Sequence, residues 1–84
     1  MFYVYILKST INKDLYIGYS EDLKRRLMEH NSGNVRATKP NRPWMLIYYE
    51  AYRDKRDASK REKHLKMHRV KEDMRIQIAY SLIN

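Results

Sequence analysis

A chain of 84 residues has room for one small domain, 1–84, with a modest core, because a domain this size buries only about 60–65% of its unfolded surface. It contains no cysteine, which excludes disulfides and thiolate metal sites and favours a reducing, cytoplasmic setting. Eighteen Lys and Arg against ten Asp and Glu, a formal charge of +8, point to a polyanionic partner, most often nucleic acid, and no apolar run is long enough to span a bilayer. A generically basic surface, or one that grazes anionic lipid, is the other reading of that charge.

In chain order, MFYVYILKST begins with apolar residues and no basic stretch before them, so it reads as a first strand (2–8) rather than a signal peptide. Aromatic and β-branched residues fill both of its faces, as in a strand covered on two sides. TINKD (10–14) is a turn rich in Asn and Asp, and LYIGYS (15–20) is a second strand placed to pair with the first as an antiparallel hairpin. Ser20 is the expected cap of the next helix, with Glu21 and Asp22 in its positive first turn. That helix should run to about Asn31 and stop at SGN, with Gly33 near C′. Residues 32–43 read as a loop carrying Arg36, Lys39 and Arg42. WMLIYYEAY (44–52) is the third strand, again expected to be covered on both faces. Asp54 or Asp57 starts a helix through about Met67, and a last helix fills 70–82, where Val70, Met74 and Ile78 recur as a buried stripe. The order β-β-α-β-α-α predicts an α+β fold, a small, mainly antiparallel three-stranded sheet flanked by helices.

Side chains alternate along a strand, so Tyr16 and Gly18 share one face while Leu15, Ile17 and Tyr19 take the other. Gly18 leaves space for something to approach the backbone beside the Tyr16 hydroxyl. In the first helix Leu23, Arg26, Leu27 and His30 fall in one stripe, which brings Arg26 and His30 to the rim of the sheet face near Tyr16. The plainer reading leaves both flanking that stripe in solvent. Ala58, Glu62 and Leu65 lie within a narrow arc of the second helix, setting a carboxylate on an apolar face where it is costly unless paired or bound to a cation. A salt bridge to a neighbouring Lys or Arg and a metal-binding carboxylate both satisfy that requirement. HLKMH sets His64 and His68 four apart but lacks the Glu that a zinc hydrolase helix places after its first His, so both read as surface or DNA-facing.

These residues carry a resemblance. Tyr3-Val4-Tyr5, followed eleven residues after Tyr5 by Tyr16-Ile17-Gly18, looks like the paired motifs of the GIY-YIG nuclease superfamily. Arg26 follows Tyr16 by ten residues, His30 comes one turn later, and Glu62 in AxxxE (58–62) fits the family's glutamate on a later helix. The segments RRLMEHNSG, PWMLIYYE and REKHLK resemble most the small, stand-alone, single-domain branch. Tyr3 and Val4 stand where the family motif has Gly and Ile, and Tyr19 stands where several relatives carry Lys. The resemblance implies metal-dependent hydrolysis of DNA phosphodiesters. Tyr16 would be the general base or would orient the attacking water, and Tyr5 would hydrogen-bond the nucleophile or the scissile phosphate. Arg26 would hold the phosphate, while His30 would polarise a tyrosine or position the phosphate. Glu62 would be the sole protein ligand of one Mg²⁺ or Mn²⁺, bound together with substrate. An ordinary tyrosine, pKa about 10, needs roughly 3.4 kcal/mol to form its phenolate near pH 7.5, which Arg26 and a cation can offset. Lys39, with Arg36 and Arg42, would contact nucleic acid. Larger members carry a further Asn late in the domain, and Asn84 is the late candidate here, with no spacing to assign it.

Three functional classes are open at this point. The first is an endonuclease; the second is a catalytically weak or silent nucleic-acid-binding module of the same fold, and the third is a domain whose partner is protein.

Overall fold

The computed structural model describes residues 1–83, which leaves Asn84 outside the described residues. β1 (Phe2–Ser9) lies at the centre of a three-stranded sheet ordered β2-β1-β3, between β2 (Leu15–Ser20) and β3 (Trp44–Tyr52), and both pairings are antiparallel. The central place explains its sequence: Val4 and Ile6 face one helical layer, Tyr5 and Leu7 the other, and none of the four is more than 1% exposed. Four helices complete the α+β fold: α1 (Leu23–Asn31), α2 (Lys55–Leu65), α3 (His68–Gln77) and α4 (Ala79–Ile83). No helix among the described residues is long and apolar enough to cross a membrane.

One face of the sheet packs Val4, Ile6 and Ile17 against Ala58 and Leu65 of α2 and Met74 of α3, with Ile78 beside them. The opposite face packs Tyr5, Leu7 and Trp44 under Leu23 and Leu27 of α1. A bulge between Ile6 and Leu7 inserts Ile47 into β3, so that Ile47 and Tyr48 both turn to the α2 and α3 side.

Several boundaries differ from expectation. Asp22, not Ser20, caps α1, because the chain is still extended there and its carboxylate accepts from Arg25 N at 3.0 Å. Ser20 instead folds its hydroxyl onto the backbone N–H and C=O of Asp22, both at 3.0 Å, and no acid lies in the first helical turn. The helix ends as read, with Gly33 at φ +84 beyond the Ser32 cap. α2 begins at the Asp54 cap but stops at Leu65, since Met67 turns extended to start α3. The last helix is two: Ile78 leaves helical geometry between α3 and α4, keeping its own side chain in the core and turning Leu82 toward it. β3 is not covered on both faces. The nine-residue α1 shields Trp44 and Leu46 but leaves Tyr49 and Ala51 of the same face exposed, and Met45 is exposed on the opposite face.

Candidate active site

Gly18 pairs with Tyr5 across the β1–β2 ladder, and a Cβ at Gly18 would fall 2.5 Å from Tyr5 Cζ and closer still to its hydroxyl. What comes up to the Gly18 backbone is therefore the Tyr5 phenol. The ring crosses β2 and delivers its hydroxyl to α1, where Tyr5 Oη lies 2.8 Å from His30 Nε2. His30 is fully buried, and its Nδ1 lies 2.7 Å from Thr38 Oγ1 in the loop before β3. Tyr16 is half-buried and sets its ring edge-on to His30, with centroids 5.1 Å apart, and edge-on to Trp44 at 6.3 Å.

The loop 32–43 is pinned at both ends of this arrangement. Asn31 exchanges two hydrogen bonds with the Trp44 backbone, and the Trp44 indole N–H donates to Thr38 O at 2.8 Å. Thr38 thus sits fully buried behind His30, held by the chain that follows it.

Burial dominates the electrostatics. It pushes the Tyr5 phenol up to about 12, although the Arg26 guanidinium beside the hydroxyl works in the other direction. Burial likewise lowers His30, and the positive charge of Arg26 adds to that, so the imidazole is neutral at pH 7. Arg26 donates from Nη1 to Glu29 at 3.1 Å, and its Nε is buried with no hydrogen-bond partner. A hollow of about 420 Å³ opens next to it, where Arg25, Arg26 and Lys55 outnumber Glu21 and Glu29. The buried, unpartnered hydroxyl of Tyr19 belongs to a side chain lining the same hollow.

Glu62 stands between fully buried Ala58 and Leu65, and its side chain is 24% exposed. Its charge reaches the sheet, adding to the forces that disfavour a Tyr5 phenolate. One oxygen, Oε2, accepts from Lys66 Nζ at 3.2 Å, an exposed i,i+4 pair of the weak kind. No group of three His, Cys, Asp or Glu that could hold a metal ion exists among the described residues. A single hard carboxylate with a displaceable lysine suits a divalent ion that draws its other oxygens from substrate and water. The His64 and His68 spacing is not one helical face, since the first lies in α2 and the second begins α3. His64 Nδ1 accepts from Arg61 at 2.8 Å.

The structure therefore gathers Tyr5, Tyr16, Arg26 and His30 along one face of α1, with Glu62 near enough to act on Tyr5 by charge. Arg36, Lys39 and Arg42 are exposed on the loop, and the Arg42 guanidinium lies over Gly33. Two features escaped sequence reasoning. Thr38, a small polar residue in a basic loop, has no periodicity to mark it. Glu50 of β3 accepts from both Tyr48 and Tyr52 and from Arg61 at 2.9 and 3.0 Å. Burial pushes the Glu50 carboxyl up, but the bonds from Arg61, Tyr48 and Tyr52 prevail and hold it below its ordinary range. This clamp joins β3 to the turn of α2 that carries Glu62. Its signal was a carboxylate alternating with two tyrosines on one strand face.

Comparison with known proteins agrees with the fold. A family model described as the GIY-YIG catalytic domain matches residues 1–76. A UPF0213 protein of Bacillus pumilus is 42% identical over 77 residues, spanning 89% of this chain and 78% of the relative. A UPF0213 protein of Staphylococcus aureus is 37% identical over 75 residues, spanning 88% of this chain and 90% of the relative. The solution NMR structure of a UPF0213 protein from Bacillus halodurans superposes with a TM-score of 0.58 at 29% identity, covering 100% of this chain and 95% of that one.

Proposed function

Because the chain belongs to the GIY-YIG catalytic domain family, we propose that it is a metal-dependent endonuclease hydrolysing DNA phosphodiesters beside α1. The observation that carries this reading is the convergence of Tyr5, Tyr16, Arg26 and His30, with the Glu62 charge acting on the same phenol. Nothing in a generic core asks for that set.

At a pKa of about 12, a Tyr5 phenolate near pH 7.5 would need about 6 kcal/mol, so Tyr5 works as a neutral hydroxyl held by His30. The half-buried Tyr16 is the phenol open to a water, which it orients toward the phosphorus. Arg26, flanking the hollow, holds the scissile phosphate and stabilises the charge that grows on its oxygens during attack. Glu62 is the residue that would hold one Mg²⁺ or Mn²⁺, whose charge favours the attacked phosphate. Arg36, Lys39 and Arg42 supply further phosphate contacts away from the reacting bond. The cysteine-free chain suits a reducing, cytoplasmic setting.

The test is incubation of the whole chain with single-stranded, double-stranded and branched DNA and Mg²⁺ or Mn²⁺, beside Glu62→Ala and Arg26→Ala. At least one substrate is cut, Glu62→Ala abolishes the cut, and Arg26→Ala lowers the rate by ~10²–10³. If every substrate survives while affinity still falls steeply with salt, the chain is a binding module instead.

A further inference from the structure

The hydrogen bonds through His30 are continuous from β1 to the loop before β3. Four groups form a line: Tyr5 Oη, the two ring nitrogens of His30, Thr38 Oγ1 and the Val35 carbonyl, with separations of 2.8, 2.7 and 3.3 Å. A neutral imidazole has one N–H, so two orders are open. In the first, Tyr5 donates to Nε2, Nδ1–H donates to Thr38, and the Thr38 hydroxyl donates to Val35 O. In the second, Nε2–H donates to Tyr5 and the Thr38 hydroxyl donates to Nδ1 instead of to Val35 O, and the Tyr5 proton is left over in a site where Tyr5 is only 1% exposed and no other acceptor for it is found among the described residues. Arg26 cannot take that proton, because a guanidinium only donates. The first order satisfies each donor; the second strands a buried one, at a cost of about 1–3 kcal/mol.

We propose that Thr38 is a positioning residue: its Oγ1 accepts from His30 Nδ1–H and so fixes the tautomer whose Nε2 is free to accept the Tyr5 proton. In water a histidine ring usually prefers the opposite tautomer, with hydrogen on Nε2. That form would aim an N–H at the Tyr5 oxygen and close the ring to any proton from β1. Thr38 is suited to hold the less common form because it is fully buried and anchored through its own carbonyl to the Trp44 indole. The groups facing His30 are Tyr5, Tyr16, Arg26 and Glu29 besides Thr38, and none of the others reaches Nδ1 in the observed hydrogen bonds. During the reaction the line keeps the Tyr5 proton pointed at Nε2 and leaves the phenol oxygen free as an acceptor, with no proton changing partner. This catalytic consequence rests on the nuclease reading, but the tautomer does not.

The deciding experiment is a long-range ¹H–¹⁵N correlation spectrum of the full chain at pH 7.5, without metal or nucleic acid. The expected pattern for His30 is a protonated Nδ1 and an unprotonated Nε2, preserved in Thr38→Ser and lost or mixed in Thr38→Val. Hydrogen on Nε2 in the wild type overturns the proposal, as does an unchanged pattern in Thr38→Val. Should Thr38→Val not fold, the wild-type and Thr38→Ser spectra still decide the tautomer. Cleavage assays on the same proteins separate the two claims: Thr38→Val slows cutting roughly 10- to 100-fold while Thr38→Ser stays near wild type. Absence of cleavage in the wild type would remove the nuclease reading and leave the spectrum to judge Thr38 by itself.

Discussion

Gly18 and Tyr5 are ladder partners in which the ring of one fills the space a side chain would need at the other. Gly18→Ala should therefore destabilise the fold by about 1–3 kcal/mol through overpacking, since Tyr5 is enclosed and its ring has nowhere cheap to go. The clash is with the ring carbon as well as the hydroxyl, so Tyr5→Phe will not relieve it. A smaller partner will: in urea unfolding, Gly18→Ala with Tyr5→Leu should lose less than the two single changes added together. Strict additivity would mean that the residues do not share this space.

The buried His30 makes stability depend on pH in a stated direction. Its folded pKa lies below the ordinary 6.5, so the unfolded chain holds the proton in a range where the native one has shed it. Stability is complete above 6.5 and is lost as pH falls through the folded value, with a slope of at most about 1.4 kcal/mol per pH unit for one proton. Protonation also occupies Nε2 and turns away the Tyr5 hydroxyl. Urea midpoints for the wild type should drop from pH 7.5 to 5.5, and His30→Gln should flatten that decline. Equal declines in both proteins would place the titration elsewhere.

Much of this arrangement could be read from spacing, and the reason is geometric. Strand alternation put Tyr16 and Gly18 on one face, and helical periodicity put Arg26 and His30 on another, so their meeting needed only that α1 pack on that side of the sheet. Glu62 was visible for a similar reason, as a charge between Ala58 and Leu65 on an apolar arc. Period says nothing about a loop, however, and Thr38 is held by the Trp44 indole rather than by its own neighbours. Nor does it say which partner a strand carboxylate will find, which is why the Glu50–Arg61 contact was missed. The break at Ile78 shows the same limit: the Val70, Met74, Ile78 stripe is real, but an unbroken helix was not needed to bury it.

The Glu50–Arg61 clamp predicts a large effect from a residue with no place in the chemistry. Both side chains are mostly buried, at 17% and 25% exposure, so deleting one leaves the other without its principal partner. Glu50→Ala should lose about 3 kcal/mol by leaving Arg61 without its carboxylate and two tyrosine hydroxyls without their acceptor, while Glu50→Ala with Arg61→Met should recover part of that loss. The depressed carboxyl pKa gives the sign with pH. The contribution is complete above about 4.5 and fades as pH falls through the lower folded value. Stability curves of wild type and Glu50→Gln should therefore converge in acid. A constant gap down to pH 3 would contradict the ionic character of the clamp.

Lys66 offers a sharper test of Glu62 than removal of the carboxylate alone. Its ammonium occupies Oε2 and sets a positive charge where a divalent ion would bind, so lysine and metal compete for one acid. The competitor is weak, because Lys66 is 53% exposed and its pair is screened by solvent. Lys66→Met should lower the Mg²⁺ concentration needed for half-maximal cleavage by about 2- to 3-fold, equivalent to well under 1 kcal/mol, and leave the rate at saturating metal unchanged. Glu62→Gln should abolish the response to metal whether or not Lys66 is present. A Lys66→Met protein that needs more Mg²⁺ than the wild type would mean that the ammonium serves the phosphate rather than opposing the cation, and Glu62 would lose its assignment as the metal ligand.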